Sequence, residues 1–141
     1  VSSVMYMQYM FNGAQSFNGD LRPWDVSSVI YMQYMFKGAL SFNGDLSSWD
    51  VSSVIYMQYM FKGALSFNGD LSMYMQYLGT SAGVSSVSSM QSMFRSAFSF
   101  NQELCWDTTG INTASMFTNS LGGSVNATAA KCARNRDGKH V

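Results

Sequence analysis

The feature that most constrains this chain is a repeat that barely varies. Residues 26–46 and 51–71 are the same from first to last, Val-Ser-Ser-Val-Ile-Tyr-Met-Gln-Tyr-Met-Phe-Lys-Gly-Ala-Leu-Ser-Phe-Asn-Gly-Asp-Leu. Residues 1–21 depart from that string at Met5, Asn12 and Gln15 alone. Val1, Val26 and Val51 set the period at 25 residues. A diverged fourth copy runs from Val84 to Leu104 and keeps Val87, Met90, Met93, Phe94, Ala97, Phe100 and Asn101. A fifth, partial copy starts near residue 108 and keeps Ile111, Met116 and Phe117. A unit this short cannot bury its own apolar stripe, so the sequence demands that units stack and share one core.

Within a unit the apolar spacing changes. Leu46, Trp49 and Val51 follow an L-x-x-L-x-L pattern, which predicts a short strand with Ser48, Asp50 and Ser52 on its other face. Val54, Met57, Met60, Phe61 and Ala64 then recur at three- and four-residue steps, which predicts a short helix ended by Gly63. Phe67 turns inward, and Asn68-Gly69 is expected to make the return turn. The expected fold is therefore an α/β solenoid, leucine-rich-repeat-like, with coils starting near residues 1, 26, 51, 84 and 108. A β-solenoid with little helix is the alternative. The repeat domain spans 1–121, residues 72–83 form an irregular insertion between the third and fourth coils, and 122–141 form a C-terminal cap and tail.

Composition narrows the function. The eight basic and eight acidic residues cancel, so no electrostatic footprint for nucleic acid or an anionic membrane exists. Apolar runs are broken well short of the roughly 20 residues that a spanning helix needs, and no membrane insertion is expected. The sole histidine, His140, stands beside the C-terminus, no G-x-S-x-G elbow occurs, and the glycines fall singly or in turns rather than in a phosphate-cradling loop. The chain reads as a non-enzyme with no cofactor.

Three sets of outward residues remain. Tyr6, Tyr31 and Tyr56 form one column and Tyr9, Tyr34 and Tyr59 another, with Gln8, Gln33 and Gln58 between them and Lys37 and Lys62 nearby. The stripe spacing points these rings away from the core, where they either lie flat over neighbouring coils or form a surface for a protein or glycan ligand. Asp25, Asp50, Ser48 and Ser52 make a polar strip on the strand face. Asp20, Asp45 and Asp70 make a further acidic column. Its expected role is turn capping; no metal site is required, and a row of low-affinity Ca²⁺ sites helped by Asn18, Asn43 and Asn68 is the alternative.

Cys105 and Cys132 lie close enough in sequence for one local disulfide, and Asn126-Ala127-Thr128 is a glycosylation sequon. Both favour an extracellular or cell-surface address.

The unit as a whole resembles a known family. Phe42-Asn43-Gly44-Asp45-Leu46-Ser47-Ser48-Trp49-Asp50-Val51-Ser52-Ser53-Val54, followed by Met57, Met60-Phe61 and Gly63-Ala64, is similar to the BspA-like leucine-rich-repeat surface proteins, in particular the mycoplasma-type repeat domain of unknown function. The resemblance covers residues 1–121 and rests on the Trp-Asp-Val-Ser and Met-x-x-Met-Phe combination. It implies a secreted or surface-borne repeat scaffold with binding or adhesive roles and no catalytic residues. This chain departs from it by placing Tyr where Asn or Ser is more usual. The expected function is a non-enzymatic binding or adhesion module. The alternative is a structural repeat segment that associates with itself end to end.

Overall fold

The computed structural model describes residues 3–71 and 84–125. The chain returns to the same place once per repeat. Single parallel β-bridges join Tyr6 to Tyr31, Tyr31 to Tyr56, Tyr56 to Ser89 and Ser89 to Asn112, one bridge per coil-to-coil step. The last described segment adds a parallel pair, β1 (Glu103–Leu104) with β2 (Ser124–Val125). Residues 122–125, expected to open a cap, thus stay hydrogen-bonded to the preceding coil. The expected insertion at 72–83 and the tail from 126 lie outside the described residues.

Neither the helix nor the strand forms where the apolar spacing placed it. The described residues contain no α-helix, and 58–63 are a run of turns. In the first coil the Met10 amide donates to the Met7 carbonyl, Asn12 to Tyr9 and Ala14 to Phe11, so tight turns follow one another. The intervening amides turn outward to the next coil: Met7 donates to Tyr31, Tyr9 to Gln33, Phe11 to Met35 and Gly13 to Lys37. The same four bonds recur from the second coil to the third, the third to the fourth, and the fourth to the fifth. A three-residue turn advances the inward position as a helix does, which is why the stripe Val54, Met57, Met60, Phe61 and Ala64 is fully buried without one.

Coil spacing explains the preference. Tyr6 and Tyr31 stack at 4.9 Å on one side of the coil, and Phe17 and Phe42 at 5.8 Å on another. An α-helix is about 10 Å across with its side chains, so helices could not fit into coils stacked this closely. The turns also need left-handed backbone at two places per coil. Gly13, Gly38 and Gly63 supply one, and Tyr9, Tyr34 and Tyr59 supply the other with φ near 60°. That second conformation costs an L-residue roughly 1–2 kcal/mol and is held by the amide bond of each tyrosine to the next coil.

The expected strand at Leu46–Val51 is instead a corner. Trp49 donates its amide to the Leu46 carbonyl and its indole N–H to the Leu21 carbonyl of the coil before. Asn68-Gly69 makes no turn. Asn side chains there form a ladder: Asn18 Oδ1 accepts the Asn43 amide, Asn43 the Asn68 amide and Asn68 the Asn101 amide. Glycine beside it is required by proximity, since a Cβ on Gly69 would overlap the Gly44 carbonyl oxygen.

Two phenylalanine columns fill the core. Phe11, Phe36, Phe61, Phe94 and Phe117 stack at 5.3–5.6 Å. Phe17, Phe42, Phe67 and Phe100 run beside them and finish at Phe117. Within a coil the columns touch, as between Phe61 and Phe67 at 3.9 Å.

Candidate functional site

The two tyrosine columns come together as outward stacks of parallel rings. Tyr6, Tyr31 and Tyr56 are spaced 4.9 and 5.2 Å apart, and Tyr9, Tyr34 and Tyr59 4.7 and 4.9 Å apart, all within 11° of parallel. The first column rides on the β-bridges and the second on the left-handed residues, so the backbone itself fixes both. Tyr6 and Tyr9 are 59% and 52% exposed, while the later rings are half-covered by their neighbours. The rings lie flat on one another, and Met7, Met32, Met35, Met57 and Met60 are inside the core.

Lys37 and Lys62 add positive charge. Each ammonium sits 5.5 Å from the centroid of the tyrosine three residues earlier, Tyr34 and Tyr59. Partial burial, and then the Tyr9 and Tyr59 phenols, raise the Tyr34 hydroxyl above its ordinary value, so it stays a neutral donor. Gln33 and Gln58, expected beside the rings, are half-buried, and their Oε1 atoms accept no hydrogen bond from the described residues; Gln8 repeats this. The columns end after three coils, where Ser89 and Ser92 take the places of Tyr56 and Tyr59.

The aspartates have local work. Asp20 accepts the Arg22 amide, Asp45 the Ser47 amide, Asp25 the Ser27 amide, Asp50 the Ser52 amide and Asp107 the Thr109 amide, each two residues on. These are Asx turns at the corners. Ser48 donates its hydroxyl to the Arg22 carbonyl of the preceding coil. Hence the Asp25, Asp50, Ser48 and Ser52 strip lies on turns, not on a strand face. Arg22 pairs with Asp20 at 2.8 Å, and this hydrogen-bonded guanidinium, helped by the Arg22 amide, lowers the Asp20 carboxyl to about 2. Among the described residues no cluster of His, Cys, Asp and Glu is arranged to hold a metal. The Asn18, Asn43 and Asn68 carbonyls, read as helpers for Ca²⁺ beside Asp20, Asp45 and Asp70, each accept a backbone amide of the next coil instead.

Cys105 is buried next to Trp106, and no cysteine among the described residues is a free thiol. Cys132, its expected partner, and Asn126 of the sequon lie outside the described residues. No helix among the described residues is long and apolar enough to cross a membrane.

The family model described as "Mycoplasma protein of unknown function, DUF285" matches residues 1–82 and again 80–127. The chain belongs to this family. Its match covers the near-identical coils and the diverged ones alike, and the two matched stretches meet at the break between them. No curated protein and no solved structure matches the chain.

The left-handed tyrosines escaped sequence reasoning. Nothing in the sequence marks them, because tyrosine rarely adopts φ near 60° and only Gly13, Gly38 and Gly63 carry the usual residue for that conformation.

Proposed function

We propose that this chain is a non-enzymatic binding or adhesion module of a cell-surface or secreted protein, presenting its tyrosine face to a protein or glycan ligand. The observation that carries this reading is the pair of outward, parallel tyrosine stacks flanked by Lys37 and Lys62. Aromatic rings that are already rigid lose little entropy on contact, and repetition at about 5 Å presents the same feature to a repeated ligand. The side chains that could do chemistry are engaged elsewhere, the aspartates in turns and the asparagines in a ladder.

The scaffold we infer is the β-solenoid with little helix, supported by the bridges and by the amide-to-carbonyl bonds that join every coil to the next. The finer kinship, to BspA-like leucine-rich-repeat surface proteins, rests on the Trp-Asp-Val-Ser and Met-x-x-Met-Phe residues and, together with the cysteine pair and the sequon, favours the surface address. A Cys105–Cys132 disulfide belongs to the same proposal and would contribute about 3–4 kcal/mol in the chain-entropy picture. Thiol counting in denaturant checks the address: no reactive thiol is expected, and two would place the chain in a reducing compartment.

The functional test is a glycan and extracellular-matrix binding array run with the chain and with a Tyr31→Ser, Tyr34→Ser, Tyr56→Ser, Tyr59→Ser variant. Binding that disappears in a variant with an unchanged circular-dichroism spectrum supports the reading. Binding that survives in full overturns it.

A further inference from the structure

The two tyrosine columns differ in what holds and surrounds them. Tyr31 and Tyr56, in the first, are joined by a parallel β-bridge, so their backbones are locked side by side in neighbouring coils. Bridged backbones lie about 4.8 Å apart, and the two rings keep nearly that spacing, 5.2 Å between centroids and 11° from parallel. In the second column an ammonium stands 5.5 Å from the centroid of Tyr34 and another 5.5 Å from that of Tyr59. Among the described residues no cation makes such a contact with Tyr31 or Tyr56.

That difference bears on one-electron chemistry. A phenol that gives up an electron also gives up its hydroxyl proton, and a cation over the ring opposes the removal of the electron. Burial, and then the Tyr9 and Tyr59 phenols, make the Tyr34 proton harder to remove as well. Side chains that oxidise more readily than tyrosine are withdrawn from this part of the surface. Trp49 and Trp106 are buried, Met32, Met35, Met57 and Met60 are buried, and no cysteine among the described residues is a free thiol.

Proximity supplies the rest. Two tyrosyl radicals in solution must find each other by diffusion, whereas Tyr31 and Tyr56 are neighbours before either is oxidised, which raises their effective concentration. Their outward position leaves room for one ring to swing edge-on to the other, as a new bond requires.

We propose that Tyr31 and Tyr56 form a site of oxidative coupling, in which a haem peroxidase using hydrogen peroxide joins the two rings through carbons ortho to their hydroxyls. Each phenol loses one electron and its hydroxyl proton, and the two ortho carbons bond. Each of those carbons then releases its hydrogen as a proton while its phenol oxygen regains one. Two hydrogen atoms leave the pair in total, and they reduce one hydrogen peroxide to two waters. The bond closes a loop of one 25-residue repeat and rivets the second coil to the third. The proposal is independent of what the tyrosine face binds.

The test treats the dilute chain with a haem peroxidase and hydrogen peroxide, with N-acetyltyrosine as a check that the oxidant is active. Trypsin cuts after Lys37 and Lys62, so Tyr31 and Tyr56 leave in different peptides, one ending at Lys37 and one spanning 38–62. The chain should stay monomeric on a denaturing gel and gain dityrosine fluorescence. Mass spectrometry of the monomer band should find those two peptides joined, lighter by two hydrogens than their sum. Tyr56→Phe keeps a ring in the stack and should abolish the junction, Tyr31→Phe should do the same, and Tyr59→Phe should leave most of it. No junction in the unmodified chain, coupling only between chains, or a junction that survives Tyr56→Phe or disappears with Tyr59→Phe overturns the proposal.

Discussion

The three near-identical coils and the two diverged ones follow the same backbone path with different outward residues. From Tyr59 to Ser92 to Ser115, and from Gly63 to Ser96 to Asn119, the left-handed turns persist although the side chains change. The phenylalanine columns run unbroken through both regions, whereas the tyrosine columns stop at the third coil. Inward residues and the ladder therefore specify the coil, and outward residues are free to carry something else. A face kept in three coils and abandoned in the next is not needed to build the stack.

Several substitutions can break or sharpen that contrast. The largest effect is expected in the shared core: Phe61→Ala and Phe94→Ala should each cost about 3–5 kcal/mol in denaturant unfolding, alike in both regions. A loss confined to Phe61 would mean that the diverged coils fold on other terms. Next comes the asparagine ladder. Asn43→Ala removes the acceptor of the solvent-exposed Asn68 amide and should cost about 0.5–1.5 kcal/mol, measured the same way.

Smaller effects are expected at the turns. Gly63→Ala has space for its methyl but forces alanine to φ near 71°, so a loss of about 1 kcal/mol is expected. Ser96→Gly relieves the same conformation at φ 58° in the fourth coil and should gain up to about 1 kcal/mol. Opposite signs at equivalent positions would show that backbone, not side-chain contact, governs the site.

The smallest effect is electrostatic. The Asp20 carboxyl is lowered from 3.8 to about 2, so its contribution is complete above the ordinary carboxylate value and is lost as pH falls towards 2. Asp25 is also lowered, by the Ser27 hydroxyl and then the Ser27 amide. Proton titration followed by NMR should find Asp20 protonating at lower pH than an unperturbed aspartate, and Arg22→Ala should bring it back up. Both groups are solvent-exposed, so little change in overall stability is expected.

Much of this was legible in the residues. The period, the coil starts and the inward stripe all follow from Val54, Met57, Met60, Phe61 and Ala64 repeating in step, and the outward direction of Tyr6 and Tyr9 follows from their place off that stripe. Local spacing could not separate a helix from successive tight turns, because both advance the apolar residue by three. The deciding fact is the separation of about 5 Å between coils, a property of the neighbour and not of the unit. For the same reason Trp49 read as part of a strand, when its indole N–H reaches back to Leu21 and makes it the fastening of a corner. Asp20 and Asp45 read as turn caps, and each accepts the amide two residues on, because an Asx turn is local.

The central claim is that the repeated Met-x-x-Met-Phe stripe is built by turns bonded from coil to coil, and far-UV circular dichroism of the chain tests it most directly. The account predicts a spectrum without the helical double minimum at any concentration. A clear helical double minimum, as a helix at 54–64 and at the equivalent positions of the other units would give, would contradict it.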